Sequence, residues 1–285
     1  NMPNKVYYSM QDFDNLDISE KFKQEFKTQK IKAQDITHKI SPSEIINKKL
    51  IETRSDFIYA NGMLFQTIAV SDVKEIERRD IGRPVQDITG AVSIRLAKIL
   101  INLSQVKDND ELLDPFCGIG TILQEALLMG INVIGFDKSP EKLDAARKNL
   151  EWFSKEYKIK NKFKLSIGDA KSLSSIFRYK IDAIATEPYL GPLVKEKPSL
   201  YEAQKRINDL TPLYKSFFDE AYKVLNNKGF LVIILPYFSV KNQKINIDID
   251  KVKGRFKIYS IDGLIPIDYS TGKNKIGREI YICQK

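Results

Sequence analysis

Asp114-Pro115-Phe116-Cys117-Gly118-Ile119-Gly120 lies between the short apolar run Glu111-Leu112-Leu113 and a helix-like stretch from Thr121 to Met129. Two glycines in three positions let a chain leave a strand, turn tightly and bring its backbone close to a ligand. The amides opening the next helix then favour negative charge. Asp137, 23 positions past Asp114, directly follows the apolar run Ile131 to Phe136. Nucleotide-binding α/β folds hold a ribose at that place.

Helices and buried strands alternate from Ala91 onward. A helix through Ile94, Leu96, Ala97, Ile99 and Leu100 leads to the strand Glu111 to Leu113 and the glycine loop. The helix Thr121 to Met129, the strand Val133 to Phe136 and a helix from Ser139-Pro140 to about residue 154 follow. Strands Phe163 to Ile167 and Ile181 to Ala185 come next, then a helix capped at Thr211-Pro212, a turn at Asn226 to Gly229 and a strand Phe230 to Leu235. Two tail strands are expected at Phe256 to Ile261 and Glu279 to Ile282. Such alternation predicts an α/β fold, a doubly wound Rossmann-like and mainly parallel sheet.

Residues 1–79 read as a small α+β module, with residues 80–285 as the main domain. Ser41-Pro42-Ser43-Glu44 is a capping box opening a helix to about Ile51, and Asn61-Gly62 suits the turn of a hairpin between Asp56 to Ala60 and Met63 to Val70. Glu75 to Asp80, charged and without an apolar stripe, marks the expected boundary.

Composition narrows the chemistry. The 285 residues are 42 % hydrophobic, enough for an ordinary core, and no apolar run approaches the length of a membrane span. A cytoplasmic protein is expected. Two cysteines, Cys117 and Cys283, and one histidine, His38, leave no thiolate metal motif and almost no material for a histidine triad. Lys and Arg outnumber Asp and Glu by 46 to 37, and the excess falls after residue 80, notably in Lys155 to Lys164. That suits a polyanionic partner or a solvated lysine-rich face.

In a doubly wound sheet, ligands bind beyond the carboxyl ends of the strands. The residues expected there are Asp114 with Gly118 and Gly120, then Asp137, Asp169, and Glu187 with Tyr189. The loop is not G-x-G-x-x-G, and an acidic residue in it suits a cofactor with a cationic centre and an α-amino group, as in S-adenosylmethionine. Asp137 can accept from both ribose hydroxyls, and Asp169 from an adenine amine or, alternatively, from a helix N-terminus as its cap. Thr186-Glu187-Pro188-Tyr189-Leu190-Gly191 reads either as an edge turn or as a reactive turn. In the second case a carboxylate and a backbone carbonyl accept the two N–H bonds of an exocyclic base amine while a ring stacks on the base.

Asp114 to Ala126, Gly135-Phe136-Asp137 and Ala145 to Leu150, with Arg79 to Pro84 upstream, together resemble the THUMP-associated tRNA guanine-N2 methyltransferases of archaea and eukaryotes, which methylate position ten of tRNA. The resemblance covers about residues 75–240 and implies a class I S-adenosylmethionine-dependent fold whose last strand is antiparallel. It places Asp114, Phe116, Gly118 and Gly120 at the methionine end of the cofactor, with Asp87, Ile88 and Ser93 nearby. Asp137 falls at the ribose and Asp169 at the adenine, and Lys138 and Ala170 are also expected to bind the cofactor. It also implies structured RNA as partner and, for some relatives, a small zinc-binding activator subunit.

The N-terminal module resembles part of a THUMP domain. Where the family carries Asp-Pro-Pro-Tyr, this chain has Glu187-Pro188-Tyr189-Leu190. Glu187 thus replaces an Asp one methylene shorter. The leading expectation is a methyltransferase acting on guanine N2 of tRNA, with Glu187, Pro188 and Tyr189 catalytic. Adenine-N6 or cytosine-N4 methylation of DNA or RNA, and a non-catalytic cofactor-binding RNA-binding protein, are the other readings.

Overall fold

A computed structural model describes residues 6–87, 90–192, 194, 196–241, 243–261, 263–270 and 275–285. The chain divides into two compact units, 1–82 and 83–285. The division falls three residues past the expected one because Glu75 to Asp80 continues a helix, α3, Val73–Gly82.

The first unit runs β1 (Val6–Asp12), α1 (Ile18–Thr28), β2 (Ala33–Asp35), α2 (Pro42–Asn47), β3 (Asp56–Ala60) and β4 (Met63–Gln66) before α3. Its sheet has the order β2-β1-β3-β4, with only the β3–β4 hairpin antiparallel. The Ser41 hydroxyl accepts from Glu44 N as expected, but α2 stops at Asn47 and β4 at Gln66, each about four residues short of the sequence reading.

The second unit comprises α4 (Ile94–Leu103), β5 (Glu111–Asp114), α5 (Thr121–Leu128), β6 (Asn132–Asp137), α6 (Pro140–Glu156), β7 (Phe163–Ile167), α7 (Leu173–Ile176), β8 (Ile181–Thr186) and α8 (Leu200–Val224). Then come β9 (Leu225–Val240), β10 (Gln243–Asn246), α9 (Ile249–Val252), β11 (Lys257–Ile258), β12 (Ile267–Asp268) and β13 (Gly277–Gln284). Among the described residues the main path of the sheet is β11-β13-β9-β8-β5-β6-β7, and β13 is antiparallel to its neighbours. The order reverses at β5, which has β6 on one side and β8 on the other. That reversal is the switch point where a doubly wound sheet opens a crevice.

Period-two burial covers both faces. In β9, Leu231, Ile233 and Leu235 face a core shared with α8, while Val232 and Ile234 face the one under α4 and α5. Among the described residues no helix is long and apolar enough to cross a membrane.

Two expectations fail around α8. The helix does not start at Thr211-Pro212 but at a capping box twelve residues earlier, where Ser199 Oγ accepts from Glu202 N and Ser199 N donates to Glu202 Oε2. Pro212 is carried inside the helix. Ala203, Ile207, Leu210, Tyr214, Phe217, Phe218 and Ala221 form one buried stripe whose packing outweighs the lost backbone bond. Asn226 to Gly229 is not a separate turn either, since β9 starts at Leu225 and absorbs an irregular register, with Lys228 at a φ of 65°. The first expected tail strand shrinks to Lys257–Ile258, and β13 is longer than expected at both ends.

Gly277, the first residue of β13, lies under the Tyr237 ring, and a Cβ there would fall 2.1 Å from a ring carbon. Gly277→Ala is therefore expected to cost about 1–3 kcal/mol through overpacking, measured by equilibrium denaturation. An unchanged midpoint would contradict this packing.

Candidate cofactor cleft

The carboxyl ends of β5, β6, β7 and β8 border a cleft of about 900 Å³. Asp114, Asp137, Asp169 and Glu187 all line it, so the four carboxylates expected from separate strand ends do converge. So do Asp87, Phe116, Gly118, Lys138, Ala170, Pro188 and Tyr189.

Asp114 is 1 % exposed and accepts on Oδ1 from Thr186 Oγ1 at 2.7 Å and from Phe116 N at 3.1 Å. The first bond joins the ends of β5 and β8 across the switch point, and the second closes the turn after β5. Burial pushes the Asp114 carboxyl up to about 7; the two hydrogen bonds oppose the shift, and the nearby Asp137 and Glu187 charges add to it. Asp137 accepts from Gly118 N at 3.0 Å on Oδ2 and from Ser139 N at 2.9 Å on Oδ1. Each oxygen keeps a second lone pair for a ligand hydroxyl. Gly118 has a φ of 51° and nothing within 4 Å of where a Cβ would stand, so the loop backbone faces open cleft.

Other expected residues are spent elsewhere. Gly120, with a φ of 89°, ends the turn at the start of α5, and a Cβ there would sit 3.5 Å from Ala146 Cβ. Its role is close packing on α6, and it does not line the cleft. Ser93 caps α4, its hydroxyl accepting from Leu96 N at 3.3 Å, while Ala91 and Val92 line the cleft in its place. Ile88 lies outside the described residues. Asp169 accepts from Lys171 N at 2.9 Å, so the capping alternative holds even as the residue borders the cleft.

At the turn after β8, Glu187 is 7 % exposed in its side chain, and Oε1 accepts from Arg278 Nε at 2.5 Å. Burial raises the Glu187 carboxyl and the Arg278 charge opposes that rise. Pro188 is buried, and Tyr189 is half exposed with Lys138 Nζ 6.0 Å from its ring centre. The Tyr189 carbonyl accepts from the buried Tyr214 hydroxyl at 3.3 Å, which anchors the turn to α8. Sequence reasoning missed Arg278 because it is one charged residue in an apolar tail strand, 91 positions from its partner. Only the insertion of β13 beside β9 brings the two together.

The Lys155 to Lys164 stretch turns from α6 into β7 at the amino end of that strand, the edge opposite the cleft. Its lysines are exposed. They do not line the site, which Lys138, Lys142, Lys171 and Lys275 border instead.

The donor set fits S-adenosylmethionine. An open glycine turn, a carboxylate with free lone pairs beside it and a buried acid that a bound ammonium would ionise suit a cationic nucleoside. A pyrophosphate would meet Asp114 and Asp137 at close range.

This strand order and cleft define a class I S-adenosylmethionine-dependent methyltransferase fold. The chain belongs to the family UPF0020, RMKL-like methyltransferase domain, whose model matches residues 82–243. A DNA methylase model also matches, over residues 8–148. Among proteins of known name, the chain is 35 % identical over 149 residues to a tRNA (guanine(10)-N2)-dimethyltransferase of Methanothermobacter thermautotrophicus, covering 52 % of this chain and 40 % of that protein. The Methanocaldococcus jannaschii protein of the same name is 30 % identical over 230 residues, 77 % of this chain and 58 % of that one. A Methanothermococcus thermolithotrophicus protein carrying that name with the prefix "Probable" is 31 % identical, covering 55 % of this chain and 85 % of that one. The chain thus spans about half the length of the first two. In structure it is similar to TrmN from Thermus thermophilus, with a TM-score of 0.52 at 14 % identity over 99 % of this chain and 72 % of that one, a likeness of fold.

Asp114 supplies a pH test. Its folded pKa lies above the unfolded carboxylate value, so the folded state binds the extra proton and stability falls as pH rises from about 4 to about 7. Asp114→Asn keeps the acceptor for Thr186 and Phe116 and removes the titration. The stability of this variant relative to wild type is expected to rise across that window in denaturation at stepped pH; a difference that does not change with pH would contradict the buried acid.

Proposed function

We propose that the chain methylates an exocyclic base amine in structured RNA, the N2 amine of guanine in tRNA, using S-adenosylmethionine. The carrying observation is the shared cleft: Glu187 lines the same space as the Asp114, Gly118 and Asp137 cradle. The names of the archaeal relatives point to guanine N2 of tRNA. When bound, the cofactor supplies an electrophilic methyl group on a sulfonium. Asp137 would hold the ribose, the Asp169 to Ala170 edge the adenine, and Asp114 with the Gly118 backbone the amino-acid end.

The base amine is a poor nucleophile because its lone pair is delocalised into the ring. Glu187 accepts one amine N–H and the Pro188 carbonyl the other, which returns electron density to nitrogen and stabilises the positive charge that grows there. Tyr189, half exposed at the rim, offers its face to a base taken out of its stack. The Glu187 side chain is 7 % exposed, so its hydrogen bond to the amine acts in a lower dielectric than bulk water.

The N-terminal unit is proposed to dock the RNA. Exposed Lys21, Lys27, Lys30 and Lys32 on and after α1 supply charge for phosphates. A small zinc-binding activator, implied by the family resemblance, belongs in a parallel arm of the assay.

The test is transfer of labelled methyl from S-adenosylmethionine to tRNA, with mass spectrometry of the product nucleosides. N2-methylguanosine is expected, and Glu187→Gln should lower turnover by about 10²-fold or more while cofactor affinity stays nearly unchanged. N6-methyladenosine or N4-methylcytidine would move the activity to another amine. No transfer despite cofactor binding would leave a non-catalytic RNA-binding protein.

A further inference from the structure

The ion pair between Arg278 and Glu187 sits inside the cleft, and its two halves come from opposite regions of the chain. Glu187 rides on the turn after β8. Arg278 rides on β13, where the structure holds the backbone from both sides. On one side, Gly277 lies beneath the Tyr237 ring with no room for a Cβ, and the Tyr237 hydroxyl donates to Asp268 at 2.8 Å. On the other, the 2 % exposed Glu279 is bound by Lys244 Nζ at 2.7 Å and Asn246 Nδ2 at 3.1 Å. The β9 register places Arg278 opposite Pro236. The guanidinium therefore reaches the turn from a strand pinned at both neighbours, not from a free loop.

A glutamate has one more rotatable bond than an aspartate and, unheld, would spread its carboxylate over several positions. A charge-assisted bond at 2.5 Å to Oε1 restricts that freedom and engages one oxygen of the carboxylate. We propose that Arg278 is a positioning residue for methyl transfer: it holds Glu187 Oε1 so that Oε2 is the acceptor for the base amine. The proposal rests on the transfer reaction proposed above.

The electrostatics agree. Glu187 faces the Asp114 carboxyl from β5, the buried Tyr214 hydroxyl from α8 and the Arg278 cation from β13, with Lys138 and Lys275 also bordering the cleft. Burial favours the protonated acid and Arg278 favours the carboxylate. Without the guanidinium, burial would act unopposed, and a protonated Glu187 is a far weaker acceptor.

The experiment compares wild type, Arg278→Gln and Arg278→Lys in pH–rate profiles on tRNA, with the Glu187 titration followed in parallel by NMR of protein labelled at the glutamate δ-carbon. The Glu187 signal is identified by its loss in Glu187→Gln, and this label does not report Asp114. Arg278→Gln is expected to lower kcat by about tenfold to 100-fold with KM for tRNA nearly unchanged. Its acid limb and its Glu187 titration should both move up by about one pH unit or more. Arg278→Lys restores the charge but not the Nε geometry, so its acid limb should return towards wild type while kcat stays reduced. Wild-type kcat in Arg278→Lys, or an unmoved acid limb in a folded Arg278→Gln, overturns the proposal alone. If wild type transfers no methyl group, the reading beneath it falls instead.

Discussion

The bond from Thr186 Oγ1 to the buried Asp114 carboxylate is the contact on which the cleft depends. It closes the gap between β5 and β8 where the sheet reverses direction, so the glycine turn on one strand and the Glu187 turn on the next leave from a common point. A carboxylate 1 % exposed is costly to keep ionised, and the fold instead lets its pKa rise to about 7 while using its oxygen as a backbone and hydroxyl anchor. A cationic ligand would reverse that balance. Structural tension in the free protein and affinity for the cofactor thus share one atom group.

From that point the site divides into two halves with different physical demands. The cofactor half is held by backbone: Gly118 in the left-handed region, and the Asp137 and Asp169 carboxylates each accepting from main-chain amides. Such a surface is preformed and pays little ordering entropy on binding. The proposed acceptor half is held by side chains. Glu187 is fixed by Arg278 and Tyr189 by the Tyr214 hydroxyl on its carbonyl, and both depend on elements, β13 and α8, that arrive late in the chain.

That division also explains what could be read from sequence. Asp114, Gly118 and Asp137 were legible because a strand–turn–helix unit confines its chemistry to about 30 consecutive residues. The alternation of strands and helices gave the doubly wound sheet for the same reason. Gly120 and Ser93 misled because a glycine before a helix and a serine at its cap serve packing and capping as readily as ligand contact. The start of α8 was missed because Thr211-Pro212 imitates a cap, and only the buried stripe from Ala203 to Ala221 shows that tertiary packing overrides it. Arg278 had no local signal at all, since its role arises from β13 entering antiparallel between β9 and β11. The lysine-rich stretch before β7 was visible as charge, but its distance from the cleft became plain only from the topology.

The residues of the switch-point cleft suit S-adenosylmethionine and not a dinucleotide. Calorimetric titration of the protein with S-adenosylhomocysteine, beside an equal titration with NAD, tests this fit most directly. Saturable single-site binding of S-adenosylhomocysteine with no heat from NAD is the predicted result. Tighter binding of NAD, or no binding of S-adenosylhomocysteine to a folded protein, would contradict it.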